Sequence, residues 1–343
     1  MGRGTTAELK RADSAGWRPN LIAGLAVAVL VLSFCALLIG PFILSPRETL
    51  DAIFGRGTEQ AIIVVWNIRL PRIASALLVG AALAASGASY QALFRNPLVS
   101  PDILGVSAGA GLGAVIGIFM SLPVVMIQLS AFAGGLVAVA LVMLVATAVR
   151  NADRTLTLVL TGVVIGALAG AATSLLKVLA DPYDQLPAIT FWLLGSLASV
   201  TTADILPALP VVLVGLAPLV LLRWRVNVLS LGDDEARALG IEAARTRMVI
   251  IVAATMITAS VTAIAGVVGW VGLVIPHIAR MLVGPGFGRL LPASALLGAG
   301  YLLAVDTLAR TISPVEVPLG ILTAVIGAPF FVWLLASGRR GWT

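Results

Sequence analysis

The chain has 343 residues, of which 59% are hydrophobic and only 11% charged, and its mean hydropathy is +1.07. Soluble domains carry about 25% charged residues, so water is not the main solvent of this protein. The formal charge of +6 does not point to nucleic acid: no aromatic–basic cluster occurs, and the basic residues fall between apolar runs.

About 20 apolar residues carry a helix across a bilayer. After a polar segment (1–20), the chain offers such runs at Leu21–Ile39, Ile73–Leu93, Ile103–Met120, Val124–Val149 and Leu156–Ala180. They continue at Ile205–Leu222, Met248–Val268, Val271–Val283, Leu290–Ile312 and Val317–Ala336. The expected fold is all-α: a polytopic membrane bundle of about ten transmembrane helices in one domain, 21–338, with a short tail at 339–343. Val271–Val283 is too short to cross unaided, yet it must count as a crossing if both termini share one side.

The first run is too long for a signal-peptide core and lacks a small-x-small cleavage site. Cys35 within it reads as a buried apolar thiol, and a single cysteine excludes a disulfide framework. With the N-terminus inside, sixteen of the 22 Lys and Arg residues fall in inside segments and six outside, the bias of cytoplasmic loops. Three of the six, Arg69, Arg72 and Arg310, sit beside helix ends. They read either as side chains snorkelling to the interface or as an electropositive rim for the carboxylates of an outside partner. Asp306, four residues before Arg310, shares a helix face with it and suggests a local ion pair.

In the longest inside loop (223–247), Asp233, Asp234 and Glu235 suit the N-terminus of a short helix, followed by Arg237, and Gly240 suits its C-terminal turn. The pattern fits an ordinary capped surface helix and a knob that docks into a cytoplasmic partner equally well. The Pro101–Gly113 run is rich in glycine and alanine, for close packing or for lining a wide path.

Enzymatic chemistry finds little support. There is one histidine, His277, and a zinc site needs three or four ligands. Next to Pro276 it reads as a structural residue that holds freed backbone groups. No G-x-x-x-x-G-K-[ST] sequence occurs to cradle a nucleotide. Carboxylates are scarce within the apolar runs, which argues against the alternative of a proton-coupled secondary transporter.

Four stretches together resemble a known family. These are Arg69-Leu70-Pro71-Arg72 with the helix ending Gln91–Leu98, the Pro101–Gly113 run, Leu231–Gly240, and Gly272–Arg280 with Leu319–Thr323 and Gly327-Ala328-Pro329. In this order and spacing they are similar to the permeases of type II ABC importers for iron-siderophore, haem and cobalamin. The resemblance implies a homodimer with a translocation path on its axis, two cytoplasmic ATPase subunits, and a periplasmic or extracellular substrate-binding protein. It implies a bacterial inner membrane with both termini cytoplasmic. No cofactor is expected in this chain, since ATP and Mg would be bound by the partner ATPase. It assigns binding-protein docking to Arg69, Arg72 and Arg310, and ATPase coupling to Asp233, Asp234, Glu235, Arg237 and Gly240. Arg154 and Thr155 match a cytoplasmic gate, and 180–187 lies where the family has its outer gate. The cargo stays open among ferric siderophore, haem, cobalamin and a molybdate-type oxyanion.

Overall fold

The computed structural model describes residues 19–149 and 154–337. Each expected span is a helix. They are α1 (Pro19–Leu38), α4 (Leu70–Phe94), α5 (Val106–Phe119), α6 (Val124–Ala148) and α7 (Arg154–Leu179), then α9 (Thr202–Leu221), α12 (Ala243–Ala265), α13 (Val271–Val283), α14 (Phe287–Ala309) and α15 (Leu319–Ser337). Short helices lie between them: α2 (Pro46–Ile53), α3 (Glu59–Ile63), α8 (Gln185–Leu194), α10 (Arg223–Leu229) and α11 (Asp233–Ala238). Among the described residues seven helices are long and apolar enough to span a membrane, while α5 and α13 have only 14 and 13 residues. At 1.5 Å per residue these two reach about 20 Å, short of a full hydrocarbon layer. α8 is an addition to the expected elements, in a stretch that reads as an outside loop.

Helix α4 is the centre of the bundle, buried along most of its length and packed against α12, α13 and α14. Its composition explains this. A Cβ added at Gly80 would lie 2.1 Å from the carbonyl oxygen of Gly298 in α14, and one at Gly87 would lie 1.9 Å from that of Gly272 in α13. Backbones approach this closely only where side chains are missing, and in lipid such contact replaces the hydrophobic drive between helices. The Pro101–Gly113 run is used in the same way: Gly113 meets the Ser130 carbonyl and Gly109 meets Gly134, so α5 lies flat on α6.

Several polar groups inside the bundle are paired across helices. Tyr90 and Thr255 join α4 to α12 through their hydroxyls at 3.1 Å, and Gln128 donates to Asp204 at 2.7 Å between α6 and α9. Two sequence expectations are corrected here. Cys35 is exposed on the outer surface of α1, because that helix packs through Ala36 and its neighbours. The group that reaches the backbone near Pro276 is Gln91, donating to the Leu273 carbonyl at 3.0 Å, whereas His277 Nδ1 is buried without a hydrogen bond.

Candidate docking and coupling sites

The three arginines singled out from the sequence come together at one end of the bundle, but they point inward. Arg69 closes a π-helical stretch (Val64–Arg69), Arg72 lies in the first turn of α4, and Arg310 follows the last residue of α14. Their exposures are 2%, 7% and 7%. In the single chain the three guanidiniums therefore form no open surface, and the reason is the supply of acceptors around each of them.

Arg72 forks between two carboxylates. Its Nε donates to Asp306 Oδ1 at 2.9 Å, and its Nη1 and Nη2 donate to Glu316 Oε2 and Oε1 at 2.9 and 2.7 Å. Such bidentate, charge-assisted contacts are among the strong hydrogen bonds of proteins. The expected Asp306–Arg310 pair has its closest approach at 3.9 Å, so Arg72 is the main partner of Asp306. Arg310 instead donates to the Ala36 carbonyl at 2.8 Å, and Arg69 donates to the carbonyls of Leu37 and Phe42. Ala36 and Leu37 belong to the last turn of α1, whose carbonyls have no intrahelical partner and attract cations. Two of the arginines thus cap α1 while the third clamps α4 to α14.

Glu316 has no sequence signal beyond lying between two proline-bearing turns. It also accepts from Ser196 Oγ at 3.3 Å, and Leu319 N donates to the Gly195 carbonyl at 2.9 Å, so the segment between α14 and α15 is tied to the one between α8 and α9. Among the described residues, exposed cations on this face include Arg47 and Arg56, and Ile43 and Phe54 are exposed in the same segment. Tyr183, in the 180–187 stretch, is 92% exposed, and Asp181 Oδ1 holds that turn by accepting the amides of Tyr183 and Asp184.

The opposite end carries the 223–247 loop, and there the local expectations hold. Asp233–Ala238 is a helix, and Gly240 follows it in the left-handed region at φ +74°. Gly240 N donates to the Arg237 carbonyl at 2.9 Å and Ile241 N to the Ala236 carbonyl at 2.8 Å, the pair of bonds that closes a helix C-terminus around a glycine. Ala236, Ile241 and Leu229 are buried beneath the helix, while Leu231 and Leu239 are 64% and 55% exposed. Arg237 and Asp234 pair at 3.2 Å in the open. Asn227 Oδ1 accepts the Phe287 amide at 2.7 Å, anchoring α10 to the start of α14. The result is a short, capped projection with a charged and apolar outer surface. Gln91 and Arg280, joined at 3.2 Å, brace the bundle behind it.

Arg154 and Thr155 open α7, and their side chains lie outside the described residues, as does that of Asp233. Among the described residues no group of three or more His, Cys, Asp or Glu converges as metal ligands would.

A bundle of short and long apolar helices around one glycine-rich central helix, with a capped helical projection at one end, is matched by the model of the FecCD transport family over residues 28–337. This chain belongs to the FecCD transport family. It is 39% identical to the molybdate import system permease protein of Haemophilus influenzae over 94% of this chain and 97% of that protein. It is 45% identical to the cobalamin import system permease protein of Halobacterium salinarum over 81% of this chain and 74% of that protein. A solved structure of a metal-chelate type ABC transporter in an inward-facing conformation superposes with a TM-score of 0.85 at 39% identity, covering 93% of this chain and 99% of that one. The chain is a transmembrane permease subunit of an ABC importer with the type II permease fold.

Proposed function

We propose that two copies of this chain build a translocation path, driven by two ATPase subunits at the loop end and supplied by a binding protein at the arginine end. The observation that carries this reading is the α11 projection. It is closed by Gly240 and rooted on buried Ala236 and Ile241, yet it presents Leu231, Leu239 and Arg237 to solvent. Apolar side chains rimmed by the charges of a capped helix are the kind of surface that a partner covers. ATP-driven closure of that partner would be passed through α10 and α12 into the bundle. The loop end is then cytoplasmic, as are both termini, and the membrane is the inner membrane of a bacterium.

At the other end, docking by a binding protein would exploit the arginine cluster in a way that its burial dictates. A partner carboxylate reaches Arg72 only by replacing Glu316, whose side chain is 26% exposed and the more accessible of the two acids. Arg47 and Arg56 provide the first, solvent-exposed attraction. Specificity for cargo resides in the binding protein, and a metal chelate (ferric siderophore, haem or cobalamin) or a small oxyanion is in line with relatives named for iron chelatin, hemin, cobalamin and molybdate.

Proton-coupled transport finds less support, because Asp306, the buried carboxylate of α14, lies near a helix end and is saturated by Arg72. The test is uptake into proteoliposomes that contain the chain with its ATPase and receive loaded binding protein outside. Uptake should require internal ATP and stop with vanadate. Uptake driven by a proton gradient alone would overturn the proposal.

A further inference from the structure

A cavity of about 180 Å³ lies at the loop end, where the ends of α4, α10, α13 and α14 meet, and Gln91, Arg95, Asn227, Ser230, Arg280 and Phe287 line it. Arg95 already has an interaction partner. Arg280, in the last turn of α13, is the group that its surroundings leave short. Its Nη2 donates to Gln91 Oε1 at 3.2 Å, while its Nε is buried with no hydrogen bond. Among the described residues no carboxylate pairs with it. A guanidinium carries five N–H donors, and taking its charge out of water is costly unless a counter-charge offsets it. Gln91 is neutral, and its own amide is used on the Leu273 carbonyl. Nothing described in this chain therefore supplies the counter-charge of Arg280.

Position and chemistry select what does. Ser230 is exposed at the edge of the cavity and is followed directly by Leu231, 64% exposed, and then by the α11 projection. The cavity thus opens on the surface that carries the projection, and a partner covering Leu231 reaches its mouth. Asn227 adds a donor: its Oδ1 holds the Phe287 amide, which leaves its Nδ2 for a ligand. A guanidinium with a side-chain amide beside it matches a carboxylate, which accepts hydrogen bonds at both oxygens.

We propose that Arg280 receives an aspartate or glutamate of the ATPase subunit, whose carboxylate enters between α10 and α13 while the rest of that subunit covers α11. The inference rests on the reading that the loop end faces the ATPase. It gives that interface a charged anchor beside the apolar one of Leu231 and Leu239. It also ties the partner to α13 and, through Gln91, to the central helix α4. Movement of the ATPase then acts on the middle of the bundle as well as on α10 and α12.

Zero-length cross-linking of the assembled permease–ATPase complex tests it. Arg280→Lys keeps the charge and supplies an amine, which a water-soluble carbodiimide joins as an amide to a carboxylate in contact with it. Peptide mass spectrometry should find position 280 joined to an aspartate or glutamate of the ATPase. Arg56→Lys, at the opposite end, should give no such product. Arg280→Gln should lower the affinity of the ATPase for the purified permease about thirtyfold or more, the order expected when one partner of a buried interfacial charge pair is lost. Arg280→Lys should restore most of that affinity. A complex that assembles and hydrolyses ATP but gives no joined product at position 280, or gives one within the permease itself, would overturn the proposal. So would an affinity unmoved by Arg280→Gln. Either result leaves the transport reading standing, whereas an ATPase that fails to bind the native chain would remove both.

Discussion

Arg72 and Arg237, at opposite ends of the bundle, are used in opposite ways. At the α4–α14 end, Arg72 is 7% exposed and bonded to two carboxylates, and Arg69 and Arg310 are spent on the carbonyls of α1. At the loop end, Arg237 has a side chain 72% exposed, and it pairs with Asp234 only three residues away. The first arrangement fixes helices to one another, and its strength comes from low exposure. The second contributes little to stability, because exposed ion pairs are worth roughly 0–1 kcal/mol, and so it is free to serve recognition. Charge near a helix end is therefore no guide to exposure. What decides is whether distant chain brings acceptors to it.

The sharpest way to break this contrast is at Arg72. Arg72→Met leaves Asp306 buried without its main cation, and losing one partner of a buried pair costs about 3–5 kcal/mol. A large fall in melting temperature and in detergent-extracted yield is expected. The double variant Arg72→Met/Asp306→Leu should recover much of it, because apolar replacement of a whole buried pair is close to neutral. An unchanged melting temperature in the single variant would mean that the cluster is not a structural clamp.

Helix contact comes next. At Gly87, a methyl group would press on the Gly272 carbonyl, so Gly87→Ala should cost about 1–3 kcal/mol through displacement of α13. The same substitution at Gly170, where no neighbour lies within 4 Å, should leave the melting temperature unaltered.

Smaller in stability but larger in function is Gly240→Val. A branched residue at φ +74° is strained by roughly 1–2 kcal/mol, paid within the loop. The bundle should melt almost as before, whereas ATP hydrolysis by the assembled complex should no longer drive uptake. Gly240→Asn, which tolerates the left-handed region, should retain coupling.

The smallest effect concerns α2. Backbone and side-chain hydrogen bonds with Ser45 hold the Glu48 carboxyl below its ordinary value. A lowered carboxylate adds stability above its ordinary range and loses it as pH falls through the lower folded value. Hydrogen exchange at the Glu48 and Thr49 amides, corrected for intrinsic rate, should accelerate with acid in the native chain. It should lose that dependence in Glu48→Gln.

Much of this architecture was legible in the chain itself, for a physical reason. Apolar length, the acids of Asp233–Glu235 and the glycine at 240 are local signals, and local signals set helices and caps. The cluster was not legible in the same way. Its arginines stood out, but their partners lie 234 and 244 residues away, and a sequence offers only near neighbours such as Arg310 for Asp306. Helix α8 escaped notice because ten residues carry too short a run to separate from a loop. Arg245 and Arg247, read as loop residues, lie inside α12, which begins at Ala243 and extends the apolar span toward the water.

The central claim is that the α11 projection is a ready-made docking element at the ATPase end. In a Cys35→Ser background, a spin label at Leu239→Cys reports on it directly. The account predicts a mobile spectrum for the permease alone and a strongly immobilised one when the ATPase subunits are added, while a label at Phe54→Cys on the opposite end stays unchanged. A Leu239 label that remains mobile in a complex active in ATP-driven uptake would contradict it.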